Sequence, residues 1–286
     1  MSWLTVVMAT RNRRDRAVHA CRDLLALPES PPVVVVDNGS TDGTAAALAA
    51  LGPQVTVLAQ PVNRGAAART IGVRHARTPY VAFCDDDSGW TPGSLERAGD
   101  HLDAAPRLAL LAARVLVGAQ QHLDPVSAMM ADSPLPAEPD LPGPPVLGFL
   151  ACGAIVRTDA FLAVGGFHPL VFFGGEETLL AQDLAAAGWG LAYVSDVVAT
   201  HHPEPHADRS SRRRQQSCNA LLSALLRRPL SVPLRQAGAI LRHSPHRDER
   251  AGVLDALRRL PAALAHRQVL PVHVERQVRL LEAAGG

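Results

Sequence analysis

The sequence predicts an α/β protein: a mostly parallel sheet flanked by helices, with a helical extension at the C-terminus. Three features of the 286 residues lead there. Short β-branched apolar runs alternate with helically spaced segments through the first hundred residues. Such alternation marks a parallel sheet covered on both faces. The apolar runs end in polar clusters, and from about residue 209 the spacing turns helical and stays so.

In order, "LTVVMAT" (4–10) reads as a buried strand, and "DRAVHACRDLLAL" (15–27) as a helix with Val18, Cys21, Leu24 and Leu25 on one face. "VVVV" (33–36) is a second strand, and "STDGTAAALAAL" (40–51) opens with capping residues and continues as helix. "VTVLA" (55–59) is a strand, "GAAARTIGVRHA" (65–76) a helix and "YVAFC" (80–84) a strand. "SLERAGDHLDA" (94–104) is a helix, and "LALLAARVLV" (108–117) contains a strand. "DSPLPAEPDLPGPP" (132–145) is rich in proline and acid, which predicts a surface loop or insertion. "FLACGAIVRTDAFLAVGGF" (149–167) reads as strand, short helix and glycine turn. "GGEETLLAQDLAAAG" (174–188) is a glycine entry to a strong helix, followed by short strand pieces "GLAYV" and "VVATHH". Helices are expected over 211–226, 232–243, 248–265 and 272–284.

At 47% hydrophobic, the chain buries a real core. Residues 1–200 carry 13 Arg against 20 Asp and Glu; residues 201–286 carry 15 against 7. A basic tail behind an acidic body points to an anionic partner or to the tail packing on the body. Lysine is absent, so every side-chain cation other than histidine is a guanidinium. Cys21, Cys84, Cys152 and Cys218 form no CxxC pair, so zinc is not expected and a reduced, cytoplasmic setting is. The first apolar run is short and meets Arg11, Arg13 and Arg14, unlike a signal peptide. No run approaches the roughly 18 apolar residues of a membrane span. With only 4% aromatics, not interleaved with the arginines, no nucleic-acid surface is expected. There is no GxGxxG after the first strand, no P-loop and no GxSxG, which argues against dinucleotide, ATP and that class of hydrolase chemistry.

In a parallel sheet, ligands bind beyond the carboxyl ends of the strands. Those ends carry "TRNR" (10–13), "DNGSTDGT" (37–44) and "DDD" (85–87), so three polar clusters converge on one edge. Asp85, Asp86 and Asp87 offer hard oxygen donors suited to Mg2+ or Mn2+, which offsets their mutual repulsion and can hold a diphosphate. Alone, the three would read equally well as an acidic turn or helix cap.

The order "VVMATRNR", "VVVVDNGSTDGT", "NRGAAARTIGV", "YVAFCDDD" and "GGEE" resembles the family 2 glycosyltransferases of the GT-A fold, over about residues 1–205. The resemblance implies a Rossmann-like nucleotide-sugar-binding and catalytic domain over 1–205, with 206–286 as a helical extension packing on it. It puts Thr10, Arg11 and Asn12 beside the nucleotide and Asp37 and Asn38 at the base or ribose. The family often has two aspartates where this chain has Asp37-Asn38; Asn38 reads equally as a turn residue. Arg64 and Arg69 are cations for phosphate or for an aspartate, and a solvated helix face suits Arg69 better than Arg64.

By the same resemblance, Asp85 and Asp87 hold the metal, with His201 completing its shell, and Asp86 touches the ribose or orients its neighbours. His201 and its neighbours His202 and His206 also read as an ordinary polar loop. Glu176 and Glu177 stand where the family often has Glu-Asp, whose second member is the base of an inverting, single-displacement transfer; that gives the role to Glu177. Two acids at a helix start are also what the macrodipole favours. The loop 132–145 and the helical tail are expected to border the acceptor site, and the tail's basic, amphipathic helices admit peripheral membrane contact. Two other functions stay open: a nucleotidyltransferase on a related fold, against which the lack of a glycine-rich loop at "ATRNRRDR" counts, and a non-catalytic binder of nucleotide sugar or acceptor.

Overall fold

The computed structural model describes residues 3–203 and 209–284. Its strands are β1 (Leu4–Thr10), β2 (Val33–Asp37), β3 (Val55–Ala59), β4 (Tyr80–Cys84), β5 (Ser88–Trp90), β6 (Leu108–Val117), β7 (His122–Leu123), β8 (Ala154–Arg157) and β9 (Gly190–His201). The helices before residue 204 are α1 (Arg14–Leu25), α2 (Thr44–Ala49), α3 (Ala67–His75), α4 (Ser94–Ala104), α5 (Pro125–Ala131), α6 (Thr158–Ala163) and α7 (Glu176–Ala186). The extension holds α8 (Arg209–Arg227), α9 (Ser231–His243), α10 (Arg247–Arg258), α11 (Leu260–Ala265) and α12 (Val272–Ala284). The expected boundary at 205/206, and His206, lie outside the described residues.

The sheet runs β3-β2-β1-β4-β8-β6-β9-β5, with β7 beside β6. Strands β3, β2, β1 and β4 are parallel, as expected. Beyond them β6 and β9 are parallel, while β8 runs antiparallel to β4 and β6, and β5 antiparallel to β9. The reason is the connection. β8 arrives through α5 and the long 132–150 excursion rather than through a βαβ crossover, and so enters in the opposite sense.

Alternating residues of the central strands feed two cores. Val6 and Met8 join Cys21 and Leu24 of α1 and Leu95 and Leu102 of α4 on one face. Val7 and Phe83 join Val73 of α3 and Leu180 and Leu184 of α7 on the other. A third cluster sets Val171 and Leu179 against Cys218, Leu221, Leu222 and Leu226 of α8. The extension is also held by ion pairs, Arg227 with Asp183 of α7 and Arg228 with Glu275 and Glu282 of α12. All four cysteines are buried and free, and no helix among the described residues is long and apolar enough to cross a membrane.

Some boundaries and placements differ from expectation. The two strand pieces near residue 200 are one strand, β9, with a bulge where Val194 and Val198 face Ala113 and Arg114 of β6; Ser195, Asp196 and Val197 form the bulge, the first two exposed and the third buried. The helix expected over 248–265 ends at Arg258 and restarts as α11, with Pro261 in its first turn. The 132–145 segment does not border the strand ends that carry the acids. Val117 of β6 faces His201, whereas Leu108 at the other end faces Gly190. Arg107, beside Leu108, binds Glu138 and Asp140, and Leu135 packs on Val274 and Val278 of α12. The segment's acids are drawn to that arginine at the opposite edge of the sheet.

Candidate active site

The strand order reverses between β1 and β4, with β2 and β3 beyond one and β8 beyond the other. A crevice opens outside the carboxyl ends at such a switch point. Thr10 ends β1 and Asp86 follows β4; Thr10 Oγ1 donates to Asp86 Oδ2 at 2.6 Å across that point. The aspartate turn is shaped by its own chain. Asp85 N–H donates to Ser88 Oγ at 2.7 Å, and Trp90 Nε1 donates to the Phe83 carbonyl at 3.2 Å. Phe83, Phe161 and Phe167 pack ring on ring behind it, with centroids 5.5–5.6 Å apart.

Each aspartate meets a different partner. Arg69 Nη2, from α3, donates to Asp85 Oδ1 at 2.5 Å. Arg13 lies 3.6 Å from Asp86 Oδ1. Asp87 is held by β9: its carbonyl accepts from His202 N–H at 2.7 Å, because Ser88 pairs with His201. That register sets His201 Nε2 3.5 Å from Asp87 Oδ1, with Arg16 3.8 Å from Oδ2. Burial pushes the Asp86 carboxyl up, against Thr10 and Arg13. Burial pushes Asp87 up as well, but the hydrogen bond and charge of His201, with Arg13 and Arg16, outweigh it and hold Asp87 below its ordinary value. Hydrogen bonding to Asp87 in turn raises His201.

Glu176 and Glu177 open α7 behind Gly175, whose φ of 92° suits glycine. Glu176 is 1% exposed, and its Oε2 has no hydrogen-bond partner among the described residues. Glu177 is half-buried. Burial first, and Glu176 second, push the Glu177 carboxyl up to about 8. Arg69 joins the two acid clusters electrostatically. Burial disfavours its charge, but Asp85, Glu176 and Glu177 outweigh that and raise its pKa.

The ends of β1 and β2 are knit by short polar contacts. Asn12 N–H donates to Ser40 Oγ at 2.9 Å, and Thr41 N–H donates to Asn12 Oδ1 at 2.8 Å. Asp37 is buried and accepts from Ser40 N–H at 3.1 Å. Arg11 is exposed at the rim. An open depression of about 500 Å³ lies beside them, lined by Asn12–Arg16 and Asp42. Asn38 has another occupation: Nδ2 donates to the Gly65 carbonyl at 3.2 Å, and Oδ1 accepts from Arg64 N–H at 2.7 Å.

The two arginines of "NRGAAAR" exchange the places expected of them. Arg64 has an exposed side chain, whereas Arg69 is 4% exposed and bound to Asp85. The signal was positional: Arg69 shares a face of α3 with Ala66 and Val73, and a cation on an apolar face needs a buried counter-charge. Asn219 of α8 was not foreseen. Fully buried, its Nδ2 donates to the Phe173 and Gly174 carbonyls, both at 2.8 Å, and so clamps the entry to α7.

Known proteins bear on this geometry. ExoO, a succinoglycan biosynthesis protein of Rhizobium meliloti, is 38% identical over 105 residues, covering 36% of this chain and 30% of that protein. An N-acetylglucosaminyl-diphospho-decaprenol L-rhamnosyltransferase of Mycobacterium tuberculosis is 29% identical over 210 residues, 62% of this chain and 68% of that one. The pre-mycofactocin glycosyltransferase of the same species is 30% identical over 208 residues, 69% of this chain and 42% of that one. The chain thus spans less than two thirds of ExoO and of the pre-mycofactocin enzyme. Among solved structures, the mannosyltransferase PcManGT of Pyrobaculum calidifontis, in complex with GDP-Man and Mn2+, shares the fold at a TM-score of 0.61 and 20% identity, over 99% of this chain and 76% of that one. TarS 1–349 of S. aureus, with UDP-GlcNAc, does so at 0.62 and 16%, over 96% and 83%. The family model matches residues 5–164, more than half of the sequence, and the chain belongs to glycosyl transferase family 2.

Proposed function

We propose that the chain transfers a sugar from a nucleoside-diphosphate donor to an acceptor hydroxyl, with inversion and with Mg2+ or Mn2+. One observation carries the reading: Arg69 ties the aspartate turn to the Glu176–Glu177 pair, so donor-holding acids and a proton acceptor share one crevice. In this reading the base and ribose lie over Thr10, Arg11, Asn12 and Asp37. Asn38 supports them through the Arg64–Gly65 loop.

Asp87 and His201 would hold the metal. An oxygen and an imidazole donor 3.5 Å apart fit such an ion. Among the described residues no three histidine, cysteine or carboxylate groups converge into a full cage. That suits an ion bound through one or two side chains, water and substrate phosphates. When bound, it neutralises the diphosphate as leaving group. Asp85, fixed by Arg69, lines the same wall. Glu177 takes the proton of the acceptor hydroxyl as that oxygen attacks the anomeric carbon; Glu176, more deeply buried, keeps its neighbour's pKa high. The rhamnosyltransferase's name points to a lipid-linked diphosphate as acceptor class.

The test is calorimetry of the purified chain with UDP, GDP, CDP and dTDP, each with Mn2+, Mg2+ or EDTA. One diphosphate should bind, only with metal, and Asp87→Ala should abolish it. Binding of none under any metal would refute the reading.

A further inference from the structure

The α9 helix carries a surface that sugar transfer leaves unexplained. Its inner face is ordinary: Val232 and Pro233 are buried, and Ala237 and Ile240 pack against the Leu221–Leu226 cluster of α8. Its outer face is not. Leu230, Leu234 and Leu241 are 49%, 72% and 50% exposed. At about 100° per residue they fall within roughly 40° of one another on the helix. They form an apolar stripe rather than scattered exposed leucines, which would need no explanation. Arg235 and Arg242 are exposed along one edge of the stripe, and the helix contains no Asp or Glu. The nearest acids in sequence are engaged: Asp248 lies 3.5 Å from Arg213, and Glu249 accepts from Ser244 Oγ at 2.5 Å.

The stripe also has a direction. α9 starts beyond Arg228 at the end of α8, and the chain that follows it returns to the start of α8, where Asp248 meets Arg213. That start of α8 borders the entry to α7: Gln216 Cγ lies 3.7 Å from where a Cβ on Gly174 would stand. The leucines therefore run along the body toward the side that carries Glu176 and Glu177.

We infer that the exposed face of α9 is an interfacial docking surface for an anionic lipid bilayer, with the leucines in the acyl boundary and Arg235 and Arg242 on the headgroup phosphates. Charge decides the occupant. A stripe with arginine along one edge and no acid in its helix complements an anionic surface, and the combination of leucine face and arginine edge is that of helices that lie in a membrane interface. The inference deepens the proposed function for a lipid-linked acceptor, since it would hold the crevice at the surface where such an acceptor resides.

The test is co-sedimentation of the full chain with vesicles of phosphatidylglycerol and phosphatidylcholine in equal parts, and with vesicles of phosphatidylcholine alone. The chain should pellet with the first and stay in solution with the second. Leu234→Ser/Leu241→Ser should lower the bound fraction at least about tenfold. Arg235→Gln/Arg242→Gln should weaken binding and flatten its salt dependence. All four side chains are exposed, and circular dichroism checks that the variants keep the fold. The inference fails if the chain ignores both vesicles, if it binds both equally, or if the serine pair binds as wild type does. It also fails if light scattering finds a dimer that the serine pair dissolves, for then a second copy covers the stripe. Vesicles carry neither donor nor acceptor, so this outcome and the diphosphate result stand or fall separately.

Discussion

Two clusters of acid face Arg69, and they are built on opposite plans. In the turn after β4, each carboxylate has a partner: Asp85 has Arg69, Asp86 has Thr10 and Arg13, and Asp87 has His201 and Arg16. At the start of α7, Glu176 has a buried oxygen with no hydrogen-bond partner among the described residues, and Glu177 is pushed up to about 8. At Asp87 the counter-charges outweigh burial and hold the carboxyl below its ordinary value, ready for a cation. Thin compensation lifts a carboxyl toward neutrality, where it exchanges a proton most effectively. On the proposed function, the difference separates two tasks that look alike in sequence, where both are only runs of acid.

The largest effect should come from the under-compensated cluster. Glu177→Gln should lower turnover about a thousandfold while leaving the affinity for the donor diphosphate unchanged. The sign with pH follows from the direction of the shift. A base with a raised pKa is protonated below it, so kcat/KM for the acceptor should climb between about pH 6 and 8 and level above that. The limb should be missing from the residual rate of the glutamine variant. Wild-type turnover in that variant would place the base on another group, Glu176 first.

Arg69 comes second, because both clusters lean on it. Arg69→Met should cost about 3 kcal/mol of stability, since it leaves Asp85 and the glutamates without their buried cation. It should also lower turnover about a hundredfold and move the rising limb to higher pH, because removing a cation favours the protonated carboxyl. Arg69→Lys restores charge without the planar fork and should fall between the two. A loss of stability with an unmoved limb would make Arg69 a structural residue only.

The strands around Arg69 are legible in the sequence and its burial is not, and the difference is one of range. β1 to β4 and α1 to α3 are legible because their signals are local: β-branched runs, then helical spacing, then glycine or acid at the boundary. The convergence of Thr10, Asp37 and Asp85–Asp87 on one edge follows from that alternation alone. The direction of β8 is not local. "AIVR" reads as a strand, but nothing in four residues tells which way it runs. The burial of Arg69 depends on a carboxylate 16 residues on and on two glutamates more than a hundred residues away. The place of the 132–145 loop is set at long range for the same reason: its anchor, Arg107, lies in a different part of the chain.

Asn219 extends the comparison to the scaffold. The aspartate turn is held by its own strand neighbours, whereas the glutamate entry is held from the extension, through the Phe173 and Gly174 carbonyls. Asn219→Ala should lower turnover about tenfold and stability by about 1 kcal/mol, because the partly buried Phe173 and Gly174 carbonyls lose their shared donor. Donor affinity should hold, since the aspartate turn keeps its own bonds. Equal losses in donor affinity and turnover, measured by calorimetry and rate, would show that the two clusters are not separately supported.

The smallest expected effect lies on the proposed nucleotide side and decides what Asn38 does. Both ends of its amide are occupied, by Arg64 N–H and by the Gly65 carbonyl, and the residue is 6% exposed. The loop it holds is tight: a Cβ on Gly65, at φ +59°, would stand 2.1 Å from the Phe172 carbonyl, which accepts from Ala66 N–H at 2.7 Å. Asn38→Asp keeps the acceptor but sets a carboxylate oxygen against the Gly65 carbonyl. The expected cost is about 1–2 kcal/mol, seen as a lowered Tm, with the order of preference among UDP, GDP, CDP and dTDP unchanged. A changed nucleotide preference at unchanged Tm would mean that the amide reads the base. Because the same loop leans on Phe172, next to the carbonyls that Asn219 clamps, a lowered Tm joined to reduced turnover would show that strain at the nucleotide edge reaches the glutamates through this contact.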